Sequence, residues 1–301
     1  MKIQNKILSI ILLIIAVVCL IGAGFLIAKG IQEDRRQTAV LEELRKKVEN
    51  NQKADSFKTS KNTPPPTSAT PPSDASEPER TAPPSPTPTP SPTPTATPAV
   101  ENPYRDSFLA NEDMAAWLQI PDTNVDYPVM WTPRDENYYL YRDFDGSENK
   151  NGCLILDTDS NLDPLTTNLI IHGHNMRSGA MFGNLTDYES ESYYQKHRQM
   201  ILHTKEGQRN YEIIAVFRSQ VYKKSDDVFK FYKFFQADTQ EEFDDFYENI
   251  KALSLYDTEV TAKFGDHFLT LSTCVYHVEQ GRFVVVAKEV EPGNSYLPIQ
   301  E

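Results

Sequence analysis

Phe268-Leu269-Thr270-Leu271-Ser272-Thr273-Cys274 is a short run of apolar and β-branched residues that ends on a cysteine. Alternate side chains of a β-strand point to opposite faces, and the composition of this run predicts a half-buried strand. Cys274 then lies at the end of the strand and not in the middle of a core. The sequence around it therefore matters more than the isolated cysteine.

A second strand is predicted over Arg282–Val286, after a loop that contains Gly281. A hairpin between the two strands would hold the guanidinium of Arg282 close to the sulfur of Cys274. A fixed cation favours the thiolate over the thiol and can later hold an oxyanion. Nucleophilic cysteine chemistry also needs a base, and the candidate lies about a hundred residues earlier, in the segment 169–176.

These residues resemble the sortase family. Residues 270–274 (TLSTC) are similar to its TLxTC signature, Arg282 lies on the next strand, and His174 in the GHNM motif of residues 173–176 sits where the family has its catalytic histidine. The combination is most similar to class B and covers roughly residues 111–290. The resemblance implies that His174, Cys274 and Arg282 are catalytic. The candidate substrate-binding residues are Ser272 and Thr273, beside the cysteine.

The resemblance also implies the reaction, which needs no cofactor. Cys274 would attack a threonine carbonyl in a sorting motif near the carboxyl end of a secreted protein, and His174 would protonate the leaving amine. Arg282 would stabilise the oxyanion. An amine from a cell-wall precursor cross-bridge or a pilin lysine would then resolve the thioester. Class B members accept motifs of the NPxTx or PxTG kind, and nothing in the sequence chooses between motifs or acceptors.

Two alternatives of other classes stay open. A thiol endopeptidase would use the same residues with water as the acceptor. A membrane-tethered binding or scaffold protein would keep the barrel without chemistry. A lone cysteine is more often a packing residue than a nucleophile, and a lone histidine or arginine is more often a surface or hydrogen-bonding residue. Three such residues in family order favour the enzyme.

An apolar run of 22 residues, Ile7–Ala28, lies near the start of the chain between Lys6 and Lys29. At about 1.5 Å rise per residue it spans the roughly 30 Å hydrocarbon core of a bilayer, which predicts a transmembrane anchor. A cleaved signal peptide is the alternative, although its apolar region normally runs for only about 7–15 residues. Flanking charge alone does not set the orientation. Residues 1–6 are expected inside the cell and residues 29–301 outside it.

Residues 56–103 hold 15 of the 21 prolines, interspersed with Thr and Ser. This composition favours extended polyproline II and predicts a disordered spacer that holds the following domain away from the membrane. A proline-rich ligand for a recognition domain is the alternative. Between anchor and spacer, residues 29–55 predict a short juxtamembrane helix. Its weak apolar stripe, which includes Val40, Leu41 and Leu44, suggests a possible coiled-coil seam.

Charge separates the two halves of this 301-residue chain, whose net charge is −13. Residues 1–103 hold 12 of the 30 Lys+Arg and 10 of the 43 Asp+Glu, which leaves 18 and 33 for residues 104–301 and a net charge of about −15 there. Such a surface argues against nucleic acid as a partner. These residues are numerous enough for one sizeable core and form the predicted catalytic domain.

Many short strand patterns predict a mainly β (α+β) fold for this domain, as a closed barrel. The resemblance implies eight strands. The segments that predict strands before the cysteine are 125–129, 137–142, 152–156, 167–171, 200–203, 211–221 and 259–262, and a capping helix is expected at Ser107–Trp117. Helical spacing of aromatic residues over Asp226–Leu253, with a start near Thr239, predicts a helical insertion packed on the barrel.

Two histidines compete for the role of base. His172 is still within the predicted strand, where barrel neighbours would satisfy it, whereas Gly173 should let the backbone turn just before His174. The two histidines share a strand face but lack a carboxylate at ligand spacing, so no metal site is expected. The acidic turn at Asp157 and Asp159 is a weaker candidate for calcium, and solvated loop charge is the simpler interpretation.

The three cysteines do not predict a disulfide framework. Cys19 lies in the apolar run and is interpreted as a small apolar residue. Cys153 is then the one partner left for Cys274, and a bond between them would disable the nucleophile.

Overall fold

The computed structural model of the protein describes residues 2–61, 102–275 and 278–291, which form a closed β-barrel with a long N-terminal helix. The helices are α1 (Lys2–Lys61), α2 (Arg105–Ala110), α3 (Glu191–Lys196) and α4 (Gln240–Leu253). The strands are β1 (Met114–Gln119), β2 (Asp126–Met130), β3 (Leu154–Leu156), β4 (Asn168–Gly173), β5 (Gln199–Thr204), β6 (Gln208–Gln220), β7 (Phe268–Cys274) and β8 (Gly281–Val290). The predicted eight-stranded barrel with an N-terminal helix and a helical insertion is confirmed.

Strand order around the barrel is β1-β2-β3-β4-β7-β8-β6-β5, closed between β5 and β1. The pairs β2–β3 and β4–β7 are parallel, and the other pairs are antiparallel. Because β4 and β7 are neighbours that point the same way, their carboxyl ends meet at one edge of the barrel. Residues far apart in sequence are thereby brought to the same place.

The barrel interior is filled by apolar side chains from every strand. One buried residue from each of β1 to β8 illustrates this: Leu118, Val129, Leu154, Leu169, Leu202, Ile213, Leu269 and Val285. Strand β7 differs from the predicted half-buried strand, because all of its residues except Cys274 are buried. Its Leu269 faces the interior, whereas Phe268 belongs to a second cluster beneath α4. The helical insertion is what covers the outer face.

Helix α4 confirms the predicted insertion between two strands. Its N-terminus is a capping box, in which the Glu242 amide donates to Thr239 Oγ1 and the Thr239 amide donates to the Glu242 carboxylate at 3.0 Å. Its buried Phe246 stacks on Phe234 with ring centroids 4.0 Å apart and also contacts Phe268 of β7. The aromatic stripe is therefore core, as the sequence predicted.

Three local predictions are wrong. The helix expected over Ser107–Trp117 ends at Ala110, because Asn111 adopts an extended backbone and its side-chain oxygen accepts from the Asp113 amide. The chain then enters β1. Residues 138–141 form a 3₁₀ helix and not a strand. Residues 259–262 are not a strand, and Glu259 has a left-handed φ of 61°. The remaining strand predictions are confirmed to within a few residues.

Helix α1 joins the apolar run to the barrel without a break. It is the one described helix long and apolar enough to cross a bilayer, with a mean hydropathy of 2.6 in its most apolar window, and none of that window is buried in the protein. The helix continues to Lys61, so residues 56–61 of the predicted linker are helical. The rest of that linker up to residue 101 lies outside the described residues.

The part of α1 after the apolar run packs on the barrel. Leu41, Leu44 and Val48 are buried there, so the apolar stripe faces the protein's own core and not a second helix of a coiled coil. Polar bonds flank this stripe. Arg45 forms an ion pair with Asp126 of β2 at 2.6 Å. The predicted domain start at residue 104 is therefore not the start of the folded body.

The two sides of the proline-rich stretch lie together. The Asn51 side-chain amide of α1 donates to the Pro103 carbonyl at 3.0 Å and to the Asp106 carboxylate at 3.2 Å. A segment that leaves and re-enters the fold in one region cannot set the distance between the apolar run and the barrel. Residues 62–101 lie outside the described residues, so their role as a spacer stays a prediction, while α1 itself connects the apolar run to the barrel.

Candidate active site

The antiparallel register of β7 and β8 places Cys274 directly opposite Arg282. Side chains of directly opposed residues share a face, with Cβ atoms about 4.5–5.5 Å apart. Cys274 is the first exposed residue of β7 after six buried ones, so its sulfur lies at the surface of a rigid element. The hairpin expected from the sequence is confirmed, and it brings the predicted thiol and cation together.

Arg282 is held by the backbone of its own turn. Its guanidinium donates to the Gln280 carbonyl at 3.3 Å and to the Gly281 carbonyl at 3.1 Å. In the described parts of the chain no carboxylate lies within ion-pair distance of it. The positive charge beside Cys274 is therefore positioned but not neutralised by these residues.

His174 reaches the same edge from β4. Gly173 at the end of β4 is the register partner of Thr273, the residue before Cys274, so His174 follows immediately beside the cysteine-bearing strand. The Thr273 hydroxyl donates to the Gly173 carbonyl at 2.7 Å and fixes the two strand ends together. Cys274 and Arg282 thus lie on neighbouring strands, and His174 directly follows β4 on the other side of β7, at the same end of the barrel.

The imidazole of His174 is oriented by the chain before β3. Its Nε2 lies 2.8 Å from the Leu140 carbonyl, and its ring centroid is 5.3 Å from that of Tyr141. Because a carbonyl only accepts hydrogen bonds, Nε2 carries the proton in this contact. Nδ1 is then the nitrogen left to exchange a proton with another group.

His172 behaves as the sequence predicted. Its Nε2 lies 3.0 Å from the Asp157 carboxylate, so the ring is satisfied by a barrel neighbour. Burial on its own would raise the pKa of Asp157, but the hydrogen bonds from His172 and from the Asp159 amide outweigh burial and hold that pKa below its usual value. The Asp157 carboxylate thus has protein partners already.

Gly173 was expected to let the backbone turn before His174, but the structure requires glycine there for a different reason. Its φ does not lie in the left-handed region, so backbone freedom is not what the position needs. A Cβ there would come within 2.6 Å of the side chains of both Leu154 and Phe182. The position is glycine because the barrel core closes against it.

Ser272 and Thr273 are not placed to touch a substrate. Both are buried, and the Thr273 hydroxyl is used in the bond to Gly173. The predicted substrate-binding role is therefore wrong for these side chains. Thr273 lies on the same strand face as Leu269, toward the barrel interior, and Ser272 lies on the other face.

Asn175 is a site residue for which the sequence predicted no role. Its side-chain amide donates to the backbone carbonyl of Cys274 at 2.9 Å and ties the loop after β4 to the end of β7. The signal was its place directly after His174 in the GHNM motif. Leu140 and Tyr141, which hold the histidine, carry no such signal because they are distant in sequence.

Possible metal ligands and free cysteines also occur among the described residues. Among the described residues, one group of three possible metal ligands lies together, namely Glu136, Asp157 and His172. Glu136 is exposed and the other two bond each other directly. His172 bonds the Asp157 carboxylate, whereas His174 bonds the Leu140 carbonyl. Cys153 and Cys274 are both free, and burial raises the pKa of the Cys153 thiol far above its usual value.

The domain that carries these residues is similar to known proteins. The sortase domain family model matches residues 118–290. Sortase B of Listeria monocytogenes is 32% identical over 193 residues, which cover 64% of this chain and 75% of the relative. The sortase B–substrate complex of Staphylococcus aureus is 26% identical with a TM-score of 0.56, and sortase B of B. anthracis in complex with AAEK1 is 29% identical with a TM-score of 0.55. Each structural match covers 63% of this chain and 85% of the other.

Proposed function

Because the chain belongs to the sortase family of cysteine transpeptidases and is similar to class B members, we propose that it cleaves a C-terminal sorting motif after threonine and transfers the acyl group to an amine. The observation that carries the proposal is the register pair Cys274–Arg282 at an exposed strand end, with His174 arriving on the adjacent strand. A nucleophile, a cation and an acid–base group stand at one edge of a rigid barrel. Acyl transfer needs these three functions.

The reaction begins when the Cys274 thiol gives its proton to His174 Nδ1, and the resulting thiolate attacks the threonine carbonyl carbon. The carbon–oxygen π electrons move onto the oxygen, and Arg282 donates hydrogen bonds to the resulting oxyanion. Collapse of this intermediate breaks the carbon–nitrogen bond, and the leaving nitrogen takes a proton from His174 Nδ1. The products of this half are a thioester on Cys274 and a free amine-bearing peptide.

The second half reverses the proton transfers. An acceptor amine attacks the thioester carbonyl, and His174 takes the proton that the nitrogen gives up. Arg282 stabilises the second oxyanion, and Cys274 leaves as the thiolate. The acceptor belongs to a cell-wall precursor cross-bridge or a pilin, and the donor is a secreted protein with a C-terminal sorting signal.

The bond from His174 to the Leu140 carbonyl supports this division of roles. With Nε2–H held by that carbonyl, the ring keeps one tautomer and presents Nδ1 to the reacting groups. Contact with the Tyr141 ring, which is tilted by 38° to the imidazole, restricts rotation of the His174 ring. The Asn175 amide supports the cysteine side by fixing the Cys274 backbone.

The apolar helix sets the cellular location in this proposal. Residues 7–28 stay uncleaved in the cell membrane, residues 1–6 face the cytoplasm, and the barrel lies outside the cell. The length and exposure of the apolar part of α1 support this arrangement. Protease digestion of intact cells should remove the barrel. A barrel that stays protected until the cells are opened would overturn this orientation.

The proposed chemistry is tested with the full-length protein in nanodiscs. It is incubated with a panel of peptides of the NPxTx and PxTG kinds, with and without a triglycine or lysine-containing acceptor, and followed by mass spectrometry. We expect a protein adduct with the mass of the acyl fragment, and a peptide–amine product when the acceptor is present. Cys274→Ala should form no adduct, whereas Cys19→Ala, which alters a thiol in the apolar run, should behave as the parent.

Two results would reject the proposal. If only the hydrolysed peptide forms at saturating amine, the protein is a thiol endopeptidase. If no peptide is cleaved and Cys274→Ala keeps full biological function, the protein is a non-catalytic scaffold.

A further inference from the structure

A cleft between α1 and the barrel lies where the apolar run ends. It is an open cavity of about 550 Å³. On the α1 side it is lined by Leu26, Lys29 and Gly30, and on the barrel side by residues 141–142 and 148–150. Leu26 belongs to the apolar run and Lys29 follows it, so the cleft sits at the level where hydrocarbon gives way to lipid headgroups.

The height of the barrel above the membrane follows from α1. At about 1.5 Å rise per residue, Gln37 lies only about 14 Å along the helix from Ala28. The Gln37 side chain already bonds the barrel there, by donating to the Gly152 carbonyl at 2.9 Å and accepting from the Asn151 side chain at 2.8 Å. Lys29 and Gly30, which line the cleft, come directly after Ala28, so the barrel also reaches α1 at the end of the apolar run.

Further contacts fasten the same barrel loop to α1. We name residues 138–152 the α1-facing loop. Arg36 lies 3.7 Å from the Asp143 carboxylate and 3.5 Å from that of Asp145, and Lys150 lies 3.6 Å from Asp34. The loop is itself rigid, because the buried Asn149 side chain donates to Asp143 at 3.0 Å. Its position relative to the end of the apolar run is thus fixed from both sides.

The chemistry of the cleft suits a membrane interface. Lys29 and Lys150 are about half exposed, and their acidic neighbours Glu33 and Asp34 lie at 3.6 Å. Exposed Glu148 adds one more acid beside them. The Tyr141 ring is 58% exposed. An exposed tyrosine beside lysines, directly after an apolar run, is the composition found at the headgroup level of membrane proteins.

Arg142 adds a cation to the barrel side of the cleft. Its guanidinium lies over the Tyr138 ring at 4.3 Å from the centroid and donates to the Tyr138 carbonyl at 2.7 Å. Neither of these partners is an acid. This charge is available to a phosphate that enters the cleft.

We propose that the α1-facing loop rests in the headgroup layer of the bilayer that holds α1, with a phospholipid phosphate in the cleft. The inference rests on the proposed membrane anchoring of α1 and adds a second contact, made by the barrel itself. Tyr141 lies at this contact and also touches the His174 ring, so the membrane surface borders the reacting groups. Donor and acceptor molecules that are held at the membrane then meet the site without leaving that surface.

The test uses tryptophan as a depth probe in the full-length protein. Tyr141→Trp and Glu148→Trp place the probe in the α1-facing loop, and Glu148→Trp does so away from His174. Leu109→Trp is the matched control, since Leu109 is 84% exposed on α2, which contacts Asn51 about 35 Å along α1 from Ala28. Each variant is placed in nanodiscs with lipids brominated near the headgroup or with unbrominated lipids, and the parent signal of Trp117 and Trp131 is subtracted.

Brominated lipids should quench more than half of the added emission of Tyr141→Trp and Glu148→Trp, and less than a tenth of that of Leu109→Trp. Equal quenching at all three positions, or none in the loop, would overturn the membrane contact. Peptide cleavage is measured on the same nanodiscs. Cleavage by Glu148→Trp without quenching rejects the contact and leaves the transpeptidase intact. Quenching of Glu148→Trp, together with a parent protein that cleaves no peptide, rejects the proposed function and keeps the contact.

Discussion

At the edge where β4, β7 and β8 meet, the residues that matter stand in short motifs, and strand register alone brings them together. Along residues 37–51 of α1, by contrast, three buried apolar side chains are spread among charged ones, and their partners lie far away in sequence. The first region was predictable because each of its residues stands in a short motif on or beside one of three strands. The second was interpreted as a juxtamembrane segment, since its docking depends on a surface that no neighbouring residue reveals.

The two histidines at the barrel edge give the largest expected effect. His174→Ala should abolish acyl-enzyme formation, because no other described group stands ready to protonate the leaving amine. His172→Ala is the matched control two residues away, and it should weaken activity only modestly through loss of the Asp157 contact. Both variants are measured in the peptide-cleavage assay, with the acyl adduct detected by mass spectrometry. The reverse ranking would assign the base to His172.

Arg282 comes next. Arg282→Ala should slow acyl-enzyme formation about a hundred- to a thousandfold, which corresponds to roughly 3–4 kcal/mol for one oxyanion donor. Arg282→Lys should also be severely slowed, because an ammonium cannot reproduce the fork geometry of the guanidinium. Thiolate titration of each variant supplies the control. Near-normal rates for Arg282→Lys, or a change in thiol pKa that accounts for the whole loss, would leave Arg282 as an electrostatic neighbour.

Docking of α1 is tested by Leu44→Ala. Truncating this buried leucine should destabilise the barrel by about 2–5 kcal/mol, a fall in Tm of roughly 5–15 °C in a domain of this size. Glu43→Ala, one residue away, removes only an exposed ion pair with Lys47 and should shift Tm by about 1 °C. Thermal melts in nanodiscs compare them. Identical melts for both variants would mean that α1 does not belong to the folded body.

The proline-rich stretch gives the smallest expected effect. Replacing residues 62–101 by about 15 residues of Gly and Ser should leave peptide cleavage in nanodiscs within about twofold, because Asn51 and Pro103 hold its two sides together. Such a linker reaches roughly 20 Å on average, enough to connect the end of α1 to residue 102. A severalfold loss of cleavage would restore a functional role for the length of this stretch.

The sequence was sufficient for the strand that bears Cys274, the cap at Thr239 and the pairing of His172 with a barrel neighbour, since each depends on local periodicity or motif. It was insufficient where packing between residues remote in sequence determines the local structure. The burial of Thr273 depends on its contact with Gly173 of β4, which alternation within β7 cannot show. Asn111 ends α2 through one side-chain bond, although the helical pattern continues to Trp117. Gly173 is required by Leu154 and Phe182, which are remote in sequence.

The parallel pairing of β4 and β7 also has a consequence for the order of folding. The bonds that join the two strand ends, from Thr273 to Gly173 and from Asn175 to Cys274, span 100 and 99 residues. Contacts of such long range form late, because the chain must first lose the entropy of closing a large loop. Before that step Cys274 is an ordinary thiol without its histidine. Reactivity therefore arises with closure of the barrel, and an unfinished chain carries no assembled nucleophile.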